Sequence, residues 1–158
     1  MNFAIIGSNV KNSLSPKLHN WIYRKLEFNH SYKYLDVSEY SISHIIDLLR
    51  NGELDGINIT SPLKKSFLEF VDKMNETAKS TRSINCINLH DNNLIGNNTD
   101  LYGFQMMVKQ NNINFENRNI LVVGAGGAAN SICKYLADNS IYFSILNRTH
   151  ANAHSLIN

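Results

Sequence analysis

Ile120-Leu121-Val122-Val123-Gly124-Ala125-Gly126-Gly127-Ala128-Ala129 is the stretch on which the fold turns. A short apolar run, Asn119 to Val123, ends in G-x-G-x-x-A, and a helical pattern follows from about Gly126 to Asn139. Strand, glycine turn and helix in that order open a dinucleotide-binding βαβ unit. Gly124 permits the tight turn, Gly126 lets the backbone approach a pyrophosphate, and the small Ala129 lets helix pack on strand. With Ala125, Gly127 and Ala128 they form a loop whose phosphates would sit over the helix N-terminus, where free N–H groups and the dipole favour an anion. The glycines alone also suit a merely close-packed βα turn.

The next strand, Ile141 to Leu146, runs into Asn147-Arg148-Thr149. An NAD-binding unit usually carries Asp or Glu there to take the ribose 2′-hydroxyl. Here a guanidinium stands instead, and it can pair bidentately with a 2′-phosphate that a carboxylate would repel. NADP is therefore the expected cofactor; a solvated strand-end charge is the alternative.

Upstream, apolar runs and helical patterns alternate. Phe3 to Ile6, Tyr32 to Val37 and Gly56 to Thr60 read as strands, with two more around Ile84 to Leu89 and Asn93 to Ile95. Ser15-Pro16 opens a helix with an apolar face of Leu18, Trp21, Ile22 and Leu26. Ile42, Ile45, Ile46 and Leu49 make a second amphipathic stripe, stopped by Asn51-Gly52. Helices are expected over Lys64 to Lys73, Asn75 to Arg82 and Asp100 to Gln110. The polar stretch at residues 111–114 reads as a linker. This alternation defines the α/β class. Only about 40 residues follow the linker, against the 100–150 typical of a whole dinucleotide-binding domain, so the second unit reads as cut short.

Composition removes other classes. In 158 residues, 15 Lys and Arg stand against 13 Asp and Glu, for a net charge of +2 with no like-charged block, which argues against a nucleic-acid surface. Asparagine fills 24 positions where charge is scarce. Cys86 and Cys133 lie far apart without CxxC spacing, which excludes a disulfide scaffold and suits a reducing cytosol. No leader and no apolar span of membrane length is visible, so a soluble, cytoplasmic protein handling a small molecule is expected. His150 and His154 share a helical spacing but have no third ligand, so no metal site is expected.

Polar groups cluster at the strand ends. Ser13 and Ser15 offer two hydroxyls that could bind a carboxylate without a countercharge, although Ser15 also reads as a helix N-cap. In Gly56-Ile57-Asn58-Ile59-Thr60-Ser61-Pro62-Leu63-Lys64-Lys65, Asn58 and Thr60 share one strand face. Lys64 and Lys65 would then fall in the first turn of a helix, against its dipole, which points to a use or to simple exposure. Ser83-Ile84-Asn85-Cys86 and Gly96-Asn97-Asn98-Thr99-Asp100 supply the rest, with Asp100 also readable as a helix cap. A lysine and an aspartate meeting at strand ends would make an acid–base pair.

Taken together, SLSPKLHN, GINITSPLKK, SINC, GNNTDLYGF, GAGGAAN and NRT resemble shikimate dehydrogenase, the NADP-dependent family of aromatic amino-acid biosynthesis, along essentially the whole chain. The resemblance implies a substrate-binding α/β domain over residues 1–101, followed by an incomplete Rossmann-type NADP domain over 102–158. It implies that Ser13 and Ser15 hold the shikimate carboxylate. Asn58, Thr60 and Asn85 would contact the ring hydroxyls or line that pocket, and Lys64 and Asp100 would form the catalytic pair. Gly124 to Ala128 would hold the phosphates, and Asn147, Arg148 and Thr149 the 2′-phosphate. Departures are Cys86 where the family often has Thr, Asn152 and Ala153 where a second basic residue is common, and length: the nicotinamide-contacting loop, a substrate Gln and a C-terminal helix are not expected here. A non-catalytic shikimate-binding relict and a quinate/shikimate dehydrogenase are the alternatives, and a homodimer is an open assembly state.

Overall fold

The structure is a computed structural model that describes residues 1–37 and 40–156. Its elements run β1 (Asn2–Gly7), a 3-10 turn (Val10–Asn12), α1 (Ser15–Lys25), β2 (Ser31–Asp36), α2 (Ile42–Arg50), β3 (Gly56–Ile59), β4 (Lys73–Met74), α3 (Glu76–Thr81), β5 (Cys86–His90), β6 (Asn93–Asn97), α4 (Asp100–Gln110), β7 (Ile120–Val123), α5 (Gly127–Asp138), β8 (Phe143–Leu146) and α6 (His150–His154). The alternation expected from the apolar periodicity is present except for the helix expected over Lys64 to Lys73, and β4 is an addition.

The first six strands form one sheet in the order β2-β1-β3-β5-β6-β4. β1 pairs in parallel with β2 and β3, whereas β5 runs antiparallel to both β3 and β6. This topology decides where the chemistry lies. β3 ends, β5 begins and β6 ends at the same edge: Asn58 stands opposite Cys86, and Cys86 opposite Asn97. The segments after β3, before β5 and after β6 therefore converge, although they are far apart along the chain.

Below the sheet, Ala4, Ile6, Ile57, Ile59 and Ile87 pack with Ile45 and Leu49 of α2 and with Phe67 in a core that excludes water. Period-two alternation in the strands and the i, i+4 spacing of Ile45 and Leu49 put those side chains on facing surfaces. Ser41 caps α2 by accepting from the His44 N–H at 3.2 Å.

α1 departs from expectation. Leu18, Trp21 and Leu26 are each more than half exposed, and no α1 residue is buried. The face it turns inward carries His19, Asn20 and Tyr23, and of the expected apolar stripe only Ile22 is half-buried. Tyr32 lies on the edge strand β2, and the Asn20 amide satisfies both its backbone N–H (2.9 Å) and its C=O (2.7 Å). Edge groups left open to no partner are costly, so that pairing sets the helix phase ahead of the leucine stripe.

The segment expected as a helix over Lys64 to Lys73 is a succession of turns. Ser66, Leu68 and Phe70 donate to carbonyls three residues back. The Lys64 carbonyl, which an α-helix would give to Leu68, accepts from the Ile84 N–H at 2.8 Å instead. No aligned helix dipole therefore opposes Lys64 or Lys65, and the reading that relied on one does not hold.

β7 and β8 form a separate parallel two-stranded sheet, with α5 packed on one face through Ala129, Cys133 and Leu136 around Val122. On the other face Leu121, Val123 and Leu146 stay more than half exposed. α4 joins the two parts, and its Phe104 meets Tyr135 of α5 edge-on with ring centroids 5.2 Å apart.

Candidate active site

Lys64 and Asp100 meet at the shared strand edge. Lys64 Nζ lies 2.5 Å from Asp100 Oδ2, with the side chains 15% and 28% exposed. That burial matters: the pair is dry enough to interact strongly yet reachable from solvent. Asp100 is held on its other oxygen, where Asn85 Nδ2 donates to Oδ1 at 2.8 Å. Asn85 also donates to Thr99 Oγ1 (2.9 Å) and accepts from the Thr99 N–H (3.0 Å). Its amide thus orients the carboxylate from behind, with both N–H groups committed.

Asp100 is not the cap of α4. Asn98 does that work, its Oδ1 accepting from the Asp100 N–H at 2.9 Å and the Leu101 N–H at 3.2 Å. Asn98 is 2% exposed, donates to the Ser83 carbonyl (2.9 Å) and accepts from Ser131 Oγ of α5 at 3.3 Å. One buried side chain therefore fixes the backbone that carries Asp100 and ties it to the glycine-turn helix. The sequence places Asn98 in the polar cluster without giving it this role; the signal is present, because Asn caps helices as well as Asp does.

Across the cleft stands the glycine turn. Gly124 sits at φ 101°, a conformation that favours glycine. A Cβ built at Gly126, the N-cap of α5, meets open space. Gly127 has a second duty absent from the sequence reading. A Cβ there would lie 2.7, 3.0 and 3.2 Å from Cδ, Cβ and Cγ of Lys64, so the lysine stem runs along bare backbone. Ser83 Oγ adds a 3.5 Å contact to the Gly127 carbonyl. Thr60, Ser61, Pro62, Lys64 and Lys65 on one side and residues 125–128 on the other enclose a cleft of about 500 Å³.

Val123 pairs with Leu146, and the Gly124 N–H donates to the Leu146 carbonyl at 2.8 Å, so Asn147, Arg148 and Thr149 emerge beside the glycine turn. Arg148 is exposed, and Asn147 Nδ2 donates to the Thr149 carbonyl. Free N–H groups at the α5 start, an open backbone at Gly126 and an accessible guanidinium one strand away suit a dinucleotide with an extra phosphate.

Of the remaining candidates, Asn58 and Thr60 lie half-buried at the end of β3, with Thr60 in the cleft wall. Ser13 and Ser15 sit half-buried at the start of α1. Ser15 is the first helical residue rather than its cap, and its N–H donates to Ser13 Oγ at 3.2 Å. No hydrogen bond joins either serine to the Lys64 cluster among the described residues. Burial raises the Cys86 thiol pKa, which keeps it protonated and unreactive near neutrality. No group of three or more His, Cys, Asp or Glu among the described residues could hold a metal, and no described helix is long and apolar enough to cross a membrane.

Fold and site together define an α/β protein in which a Rossmann-type βαβ unit faces a lysine–carboxylate pair on a second, mixed sheet. Residues 5–87 match the shikimate dehydrogenase substrate binding domain, and residues 106–158 match shikimate / quinate 5-dehydrogenase. The chain belongs to the shikimate dehydrogenase family. A shikimate dehydrogenase (NADP(+)) of Pelagibacter ubique is 38% identical over 154 residues, which cover 96% of this chain and 57% of that relative. The crystal structure of shikimate dehydrogenase from Aquifex aeolicus superposes with a TM-score of 0.88 at 28% identity, covering 99% of this chain and 59% of that one. The Thermus thermophilus shikimate 5-dehydrogenase, solved with NADP(H) and shikimate, superposes with a TM-score of 0.81 at 29% identity over the same shares. The chain thus spans a little over half the length of these relatives.

Proposed function

We propose that this protein acts as a shikimate dehydrogenase, reversibly reducing 3-dehydroshikimate to shikimate with NADPH in aromatic amino-acid biosynthesis in the cytoplasm. The observation that carries the reading is the 2.5 Å contact between Lys64 Nζ and Asp100 Oδ2 on the rim of a cleft whose far wall is the glycine turn. Residues 1–101 would hold substrate, with Ser13 and Ser15 on its carboxylate and Asn58, Thr60 and Asn85 around the ring. Residues 102–158 would hold cofactor, with the loop from Gly124 to Ala128 on the pyrophosphate and Asn147, Arg148 and Thr149 on the 2′-phosphate.

NADPH, when bound, supplies the hydride that adds to the C3 carbonyl carbon. The carbonyl oxygen then gains negative charge, and Lys64 as an ammonium stabilises it and delivers the proton that makes the hydroxyl. Asp100, oriented by Asn85, keeps Lys64 in place and binds a neighbouring hydroxyl. A positioned acid of this kind contributes roughly 10²–10⁴-fold to rate. Lys64→Ala is expected to lower kcat by that order with little change in shikimate affinity. Near-normal turnover in that variant would remove Lys64 from the mechanism.

The second reading is a shikimate-binding protein without turnover. An NADP-coupled assay with shikimate and with quinate separates the readings. Turnover of shikimate supports the dehydrogenase, turnover of both a quinate/shikimate enzyme, and calorimetric binding without turnover the second reading. Sedimentation of the same sample tests a homodimer.

A further inference from the structure

Tyr32 lies beneath α1 with 5% of its surface exposed. Its ring stacks on His19 with centroids 4.2 Å apart and planes 4° from parallel, and Asn20 holds its backbone on both sides. The ring cannot swing away. Its hydroxyl has one partner among the described residues, Asn58 Oδ1 at 2.7 Å. A buried hydroxyl proton with no second acceptor must point at an oxygen, because an unmet donor is costly. That requirement decides which way the Asn58 amide faces: oxygen toward Tyr32, nitrogen away. Burial also pushes the phenol pKa above its ordinary range, so the proton stays on and the group remains a donor. Asn58 Nδ2 has no partner among the described residues, and the residue is only partly buried, on the strand face that Thr60 continues toward the cleft.

We propose that Tyr32 is a positioning residue: by occupying the amide oxygen of Asn58 it fixes that side chain as a donor to an acceptor oxygen of the bound hydroxy-acid. This rests on the shikimate reading above. An unlocked amide can turn over and offer either end. A locked one meets the substrate already oriented, and the cost of ordering it has been met in folding.

Calorimetric titration of shikimate into the chain tests this with Tyr32→Phe, Asn58→Leu and the double variant. Tyr32→Phe keeps the stacked ring and is expected to weaken binding about two- to tenfold, the cost of ordering one side chain. In the Asn58→Leu background the same change is expected to do nothing further, since there is no amide left to orient. An equal loss in both backgrounds would mean that Tyr32 acts on the packing of α1, and it would overturn the proposal. Unchanged affinity in Tyr32→Phe would overturn it as well. Asn58→Asp provides a check that leaves Tyr32 intact: a carboxylate accepts from Tyr32 but donates nothing, so it should bind shikimate more weakly than Asn58→Leu. Equal or tighter binding would count against a donor role. A wild-type chain that binds no shikimate would overturn the substrate reading itself, a result distinct from binding that is indifferent to Tyr32.

Discussion

Gly127→Ala adds one methyl group where the Lys64 stem crosses the glycine turn. Ordinary contacts begin at 3.4 Å, and the new carbon would stand 2.7 Å from Lys64 Cδ, so the stem must retreat by at least about 0.7 Å. Rotation of the tip gives no relief, because Lys64 Cβ and Cγ at 3.0 and 3.2 Å are also too close. The ammonium at the end of that stem is held 2.5 Å from Asp100, and misplacing a reacting group by about 1 Å can cost on the order of 100-fold in rate. Gly127 is the first residue of α5, and its φ lies outside the left-handed range, so alanine fits the backbone there and is the better helix former by up to about 1 kcal/mol. On the dehydrogenase reading the expected outcome is a split: kcat for shikimate oxidation at saturating NADP falls by one to two orders of magnitude, while stability falls by no more than the roughly 1–3 kcal/mol of a single overpacked methyl, partly offset by the helix preference. Gly126→Ala is the comparison, because its methyl would point into open cleft and should appear in KM for NADP instead. If Gly127→Ala turned over within about twofold of wild type, the glycine turn would not be what holds Lys64 in place.

Phe67 is fully buried and anchors the turns that carry Lys64, so Phe67→Ala should cost about 3–5 kcal/mol in urea unfolding, with loss of shikimate affinity before global unfolding. A cost under about 1 kcal/mol would show that the segment is not anchored there. Arg50 pairs with Asp72 at 2.8 Å, and that guanidinium, with the Leu94 N–H, holds the Asp72 carboxyl below its usual pKa. A folded-state pKa below the unfolded one gives stability that is complete above the ordinary carboxylate range and is lost as pH falls through the lowered value. Asp72→Asn should therefore be less stable than wild type at neutral pH, and the difference should shrink in acid; a gap that is constant with pH would refute the assignment.

Much of the fold is visible in local pattern. The βαβ unit from residue 120 to 146 could be read because each link, apolar strand, glycine turn and helical pattern, is a short-range property of adjacent residues. The helix over Lys64 to Lys73 could not be read correctly. What breaks it is the Ile84 N–H taking the Lys64 carbonyl, a contact made across the sheet. The α1 stripe failed for a similar reason, since Asn20 serves an edge strand that no window around it contains. Asp100 is readable either as a cap or as an acid–base partner; two residues earlier, Asn98 is equally able to cap, and only the folded backbone shows which is used.

By itself, then, the sequence determined the element types, the glycine turn, the absence of a carboxylate after β8, and which side chains were chemically able to act. The tertiary structure alone decided which of them meet. Lys64 and Asp100 are neighbours because β3, β5 and β6 alternate in direction and bring three chain ends to one edge. Strand pairing is a long-range choice, made by burial of one face of the whole sheet, and no local preference encodes it.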